Sequence, residues 1–226
     1  TLGLLHALKG VGNRAFYRWL ERDYVDLFPH LPERTRLFRL FKTHKDWLNR
    51  FWAKPSLLGI IDTFGIELIH PRREGRSDKQ IGKKGISNHR WIVGGKLCLV
   101  VNHLGEIIGW AWSTANAHDT WFHPMIECFE SQSVIFGDTG FHAAEGDPSN
   151  LKCCKRGQHN DRMLIETVNS MLTTVCHFKK VLHRVEEYLL ARLAFTVALF
   201  NILIRWDGLK PDENGFVPLT IASFSL

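Results

Sequence analysis

The stretch GGKLCLVVNHLGEIIGWAWST, residues 94–114, constrains the fold more than any other part of the chain. Two apolar runs meet at a turn around Asn102 to Gly105, which is the pattern of a β-hairpin and so of an antiparallel strand pair. A β-rich run, SLLGIIDTFGIEL, opens after Pro55 and precedes the hairpin, and Val134 to Phe136 follows it. Leu151 to Cys154 supplies a fifth short strand. Elsewhere the spacing is helical. Phe16, Leu20, Tyr24 and Leu27 recur at three to four residues, Arg34 to Trp52 repeats the pattern, and Pro29 and Pro32 break the two apart. Asp119 reads as the N-cap of a helix through Glu130, Asp161 as the cap of one running to about Phe178, and Val185 to Trp206 as a last helix.

The chain has 226 residues, enough for one main domain with a small accessory region. Arg72 to Arg90, rich in Gly and Lys and without periodicity, reads as a long loop. The five cysteines are odd in number and form no CxxC pair, which excludes a disulfide framework and a zinc ribbon and points to a reducing cytoplasm. Leu189 to Trp206 is apolar but interrupted by Arg192 and Asn201, so it is expected to be a buried core helix and no membrane partner is expected. The chain opens on Thr1 without Met, an opening expected of a fragment.

Charge is distributed unevenly. Of the 29 Lys and Arg, 11 lie in residues 1–54, eight in 72–96 and seven in 150–184, against five, two and two acids, so these segments carry +6, +6 and +5. The remainder holds three basic and 14 acidic residues. Clusters of this kind suit a protein that holds a phosphate backbone, and the expected partner is DNA.

Three acids stand out against this background. Asp62 lies inside an apolar strand, which is hard to account for structurally. Asp138 follows Gly137 where a strand stops, and reads equally as a turn residue or cap. Glu166 shares the polar face of its helix with Arg162, Asn169 and Thr173, while Leu164, Val168, Met171, Leu172 and Val175 share the other. It reads equally as an exposed acid paired with Arg162. If the three converge at a strand-end edge, their mutual repulsion calls for cations. Oxygen donors without His or Cys suit Mg²⁺ or Mn²⁺, and two such ions clamp the attacking and leaving oxygens of a phosphoryl displacement. Lys96 on the hairpin, with Lys83, Lys84 and Arg90 in the second basic segment, is a candidate DNA contact. For His118, Asp119 and His142, capping or surface roles are the simpler readings. Trp91 is a candidate stacking residue, whereas Trp110 and Trp112 are expected in the core.

The order IIDT, GGKLCLVVNHLGEIIGWAWSTANAHD, IFGDTGF and RMLIETVNSML resembles the core of the DDE transposases of bacterial insertion sequences. The resemblance implies Asp62, Asp138 and Glu166 as catalytic, metal-binding residues, two Mg²⁺ or Mn²⁺ ions, and Arg162 as a DNA contact beside the Glu. It spans roughly Phe28 to Trp206. His159 and Thr173 depart from the Tyr and Lys of some relatives, so those roles are not carried over. The 27 residues between Asp138 and Glu166 leave no space for a large β-rich insertion. The implied fold is α/β and ribonuclease-H-like, a mixed five-stranded sheet flanked by helices. A helical, basic region over 1–54 would precede a catalytic domain over 55–208 and a tail over 209–226. The implied activity is hydrolysis at transposon ends and transfer of the 3′-OH into target DNA, by a homodimer at the bacterial nucleoid. The alternative is a remnant that binds DNA without cutting it.

Overall fold

The structure is a computed structural model that describes residues 1–87, 89–154 and 162–206. Three helices come first: α1 (Leu2–Lys9), α2 (Asn13–Asp23) and α3 (Arg34–Thr43). A six-stranded sheet follows, built from β1 (Leu58–Ile69), β2 (Lys83–Ser87), β3 (Arg90–Asn102), β4 (Ile107–Thr114), β5 (Val134–Gly137) and β6 (Leu151–Cys153). The short α4 (His123–Glu127) lies between β4 and β5, and α5 (Arg162–Val175) and α6 (Glu186–Trp206) come last.

The strand order is β2-β3-β1-β5-β6, with β4 also paired to β3. β3 runs antiparallel to β1, β2 and β4, while β5 runs parallel to β1 and β6 parallel to β5. This mixed α/β sheet flanked by helices is of the ribonuclease-H-like kind.

The sixth strand corrects the reading of residues 72–90 as a loop. β3 is 13 residues long and β4 only eight, so β4 pairs Gly95 to Val101 and leaves the start of that edge uncovered. Lys83 to Ser87 fills it, pairing with Gly94 to Arg90. The unmet backbone groups of a long neighbour recruit this strand, since Gly85 and the lysines have little strand propensity of their own. A second correction concerns Asp119 to Glu130. This stretch is a 3₁₀ turn, Asp119–Phe122, then the five-residue α4, because Pro124 falls at the start and the run ends at Cys128. The Asp161 cap and the tail over 209–226 lie outside the described residues.

The sheet is packed on both faces. One face meets α5 and α6 through Ile60, Ile66, Leu97, Leu99, Val168, Met171, Leu172, Leu193 and Val197. The other covers Ile61, Cys98, Val100, Ile135 and Phe141 with Phe122 and Ile126. Burying each such side chain contributes about 1.5–3 kcal/mol, so this two-sided burial is what holds the layers together. α6, at 21 residues and mean hydropathy 1.6, is long and apolar enough to cross a membrane, yet 67% of its apolar window is buried inside the protein. It is the core helix the sequence suggests, and α1 and α3 pack around it. Arg192 on α6 donates to the carbonyls of His6 and Ala7 at the end of α1. Trp110 and Trp112 pack partly buried against the core, as expected.

Candidate active site

The length mismatch between β1 and β5 opens the site. β1 has 12 residues and β5 four, and their pairing ends at Ile60 with Phe136. Beyond that point β5 ends at Gly137, still paired to β6, and among the described residues no strand pairs with this edge of β1 until Lys180 bridges to Glu67. A cavity of about 740 Å³ lies there, lined by Asp62, Asp138 and Glu166 together with Lys96, Asp119 and Asn169. The three acids singled out in the sequence are thus brought to one cavity, which also takes in Arg90, Ser87 and Lys179.

Each acid is positioned differently. Asp62 turns toward α5, where the Asn169 amide donates to its Oδ2 at 2.8 Å. Asn169 lies three residues after Glu166, so both project from one face of α5 while Ile165, Val168 and Leu172 face the core. Asp138 is the N-cap of a 3₁₀ turn, Thr139–Phe141, and its Oδ1 accepts from the Gly140 amide at 2.9 Å. The turn reading and the cavity reading of Asp138 therefore both hold, because capping uses one carboxylate oxygen and the residue still lines the cavity.

Asp119 is the residue that sequence reasoning undervalued. The cap of its 3₁₀ turn is His118, whose ring accepts from the Thr120 amide. The Asp119 carboxylate instead receives Lys96 Nζ at 2.8 Å and Thr63 Oγ1 at 3.0 Å. A side-chain carbon at Gly140 would stand 2.9 Å from both Asp119 Oδ2 and Asp138 Oδ1. Gly at 140 therefore leaves space for two carboxylates to approach one turn, and a larger residue would push at least one of them aside. In sequence, capping is a sufficient local reading of Asp119, and its partners in the cavity are distant in the chain. Burial, with the Asp62 and Asp119 carboxylates adding to it, pushes the Cys98 thiol well up, so it stays protonated beneath the site.

The remaining expectations divide. Lys96 lines the cavity with its ammonium on Asp119, and Arg90 lines it while bound to Glu67 at 3.2 Å. Lys83 and Lys84 sit outside the cavity lining, on the exposed β2, with Lys84 Nζ 5.2 Å from the ring of Trp91, which is 57% exposed. The Arg162 side chain lies outside the described residues. His142 is exposed and paired with Asp147 at 2.8 Å, the surface role.

Among the described residues no three His, Cys, Asp or Glu side chains stand close enough to hold an ion by themselves. The donor set nevertheless fits a hard cation. Mg²⁺ is bound by one or two carboxylates and completed by water and substrate phosphate, and does not need a closed protein cage.

The fold and this acid-lined edge define a ribonuclease-H-like α/β domain with a polyanion-sized, charged cavity. Residues 53–149 match the family model described as the transposase DDE domain, in agreement with the fold of that segment. The match takes in Asp62, Asp138, Lys96 and Asp119 and ends before Glu166, which joins the site through the geometry of α5. No significant match was found among curated proteins or among solved structures.

Proposed function

We propose that the chain is a DNA transposase that hydrolyses the phosphodiester at transposon ends and transfers the freed 3′-OH into target DNA. The observation that carries this reading is one cavity in which Asp62, Asp138 and Glu166 are ringed by Lys96, Arg90 and Lys179. Acids and bases lining one cavity suit a phosphodiester whose reacting centre needs cations and whose flanking phosphates need Lys and Arg.

Asp62, Asp138 and Glu166 would hold one or two Mg²⁺ or Mn²⁺ ions. Bound there, the metal supplies Lewis-acid stabilisation of the phosphoryl oxygens and a nucleophilic water at neutral pH. The protein's own residues do the positioning. Asn169 fixes the rotamer of Asp62, the Gly140 amide fixes that of Asp138, and Asp119 holds the Lys96 ammonium where a non-bridging phosphate oxygen would approach. Lys83, Lys84 and Arg90 extend the basic surface along DNA, and Arg162 is the further DNA contact that the family resemblance implies. Two copies would pair the two ends, with residues 1–54 adding basic surface ahead of the catalytic domain over 55–208.

The test is cleavage of DNA carrying the element's own ends with Mg²⁺, for the wild type, Asp62→Ala and Asp138→Ala. Each variant is expected to lose about a thousandfold in rate while keeping its DNA affinity. DNA binding without cutting that depends on these acids would leave the chain a binding remnant.

A further inference from the structure

A second cavity, of about 420 Å³, lies at the junction of α2, α6 and the segment between α5 and α6. Gly12, Asn13, Lys180, His183, Arg184 and Arg192 line it, and no carboxylate does among the described residues. Three cationic side chains, Lys180, Arg184 and Arg192, therefore line a space that has no acid in its wall among the described residues. The nearest acid to make an ion pair is Glu67, 3.2 Å from Lys180 and already shared with Arg90.

Several polar groups here lack partners. Gly12 caps the 11-residue α2 and, having no side chain, leaves the first-turn amides without a capping oxygen, and that turn has no acid. Helix starts of this kind attract anions. Independently, Arg192 is only 5% exposed, and its Nε has no hydrogen-bond partner although its terminal nitrogens hold the carbonyls of α1. The buried Nδ1 of His183 is also unpartnered. Unpaired buried donors cost about 1–3 kcal/mol each, so an anion that satisfies them binds favourably.

The second cavity is tied to the first. Lys179 lines the carboxylate cavity and Lys180 lines this one. Their segment is bridged to the end of β1, with the Glu67 amide donating to Lys179 at 3.1 Å and the Val181 amide to Glu67 at 3.0 Å. Glu67 lies five residue steps along β1 from Asp62, about 17 Å at strand rise, or about five nucleotides of duplex rise.

We propose that this cavity binds a phosphate of the DNA backbone, several nucleotides from the bond held at the carboxylates. The inference rests on the reading of the chain as a DNA-processing protein. The shared chemistry is a phosphate dianion or diester, and the source assigned here is duplex DNA.

The test uses the full chain, with fluorescence anisotropy on transposon-end duplex over a salt series for wild type, Arg184→Ala and Lys180→Ala. Each variant is expected to lower the slope of log K against log salt by about 0.9, one phosphate contact. A methylphosphonate walked along the duplex should weaken wild-type binding about tenfold at one position, near five nucleotides from the cut, and leave Arg184→Ala unaffected there. The ring signals of His183 in NMR should move on adding that duplex and less on adding the methylphosphonate version. Slopes equal to wild type in both variants overturn the proposal. A His183 shift with inorganic phosphate, but no change in slope, overturns the DNA assignment in favour of free phosphate. If cutting proves independent of Asp62 while the slopes still fall, the transposase reading fails and this site stands.

Discussion

In the carboxylate cavity Lys96 and Asp119 lie 2.8 Å apart, with side chains 17% and 20% exposed, and Thr63 steadies the pair. At the junction of α1 and α6, Arg192 is 5% exposed and its hydrogen bonds go to the carbonyls of His6 and Ala7. The first region answers charge with charge at a partly exposed edge. The second answers charge with backbone dipoles in the core and keeps its two histidines neutral. Burial, reinforced by Arg192, lowers the His6 pKa to about 3 and that of His183 to about 4. The difference teaches that titration should weaken the second region as a folded unit, while amide and carboxylate substitutions should weaken the first as a site.

The largest expected effect is on acid stability. Both histidines have folded pKa values below the unfolded value near 6.5, so the unfolded chain takes up protons first. Their stabilisation is complete above pH 6.5 and is lost as pH falls toward about 4 and then about 3. The loss for His6 is on the order of 5 kcal/mol across that window. Chemical denaturation at pH 7 and pH 5.5 should register the first part of it, above the carboxylate range, and His6→Gln should reduce it, leaving the share of His183. A flat profile in the wild type would remove the distinction between the two regions.

Next in size is Arg192→Met, which leaves the His6 and Ala7 carbonyls without their donor and is expected to cost about 3–4 kcal/mol in unfolding free energy. A loss under 1 kcal/mol would mean that water replaces the guanidinium and that the junction is wetter than its burial implies. The smallest effect belongs to the cavity. Asn169→Ala removes the amide that donates to Asp62 Oδ2, and cleavage or Mg²⁺ affinity should drop about 10- to 100-fold with little change in melting temperature. Rescue by Asn169→Gln would not be expected, since the longer side chain misplaces the amide. An unchanged rate in Asn169→Ala would show that Asp62 needs no positioning.

The parts of this molecule that were legible in the sequence are those governed by local periodicity. The β3–β4 hairpin, β1, β5 and α6 follow from runs of apolar residues at spacing two or at helical spacing. The polar face of α5 was legible too, and with it the grouping of Glu166 and Asn169. β2 was not, because its pairing is dictated by the length of β3 and not by its own residues. Asp119 was misjudged for a related reason. A carboxylate beside a turn has a local explanation, and its partners Lys96 and Thr63 lie 23 and 56 residues away in sequence. The Arg192 junction was read only as an interruption of an apolar helix. Nothing near Arg192 in sequence announces the carbonyls of α1 that receive it.

β2 carries a consequence of another sort. By covering the start of β3 it becomes an outer strand itself, five residues long, with exposed Lys83, Lys84 and Ile86. An outer strand offers unpaired amides and carbonyls to any neighbouring copy, and lysine side chains are a common means of discouraging such pairing. Lys83 and Lys84 therefore guard this edge against pairing with another copy. Neutralising both invites sheet-to-sheet association between copies even where DNA binding is barely changed.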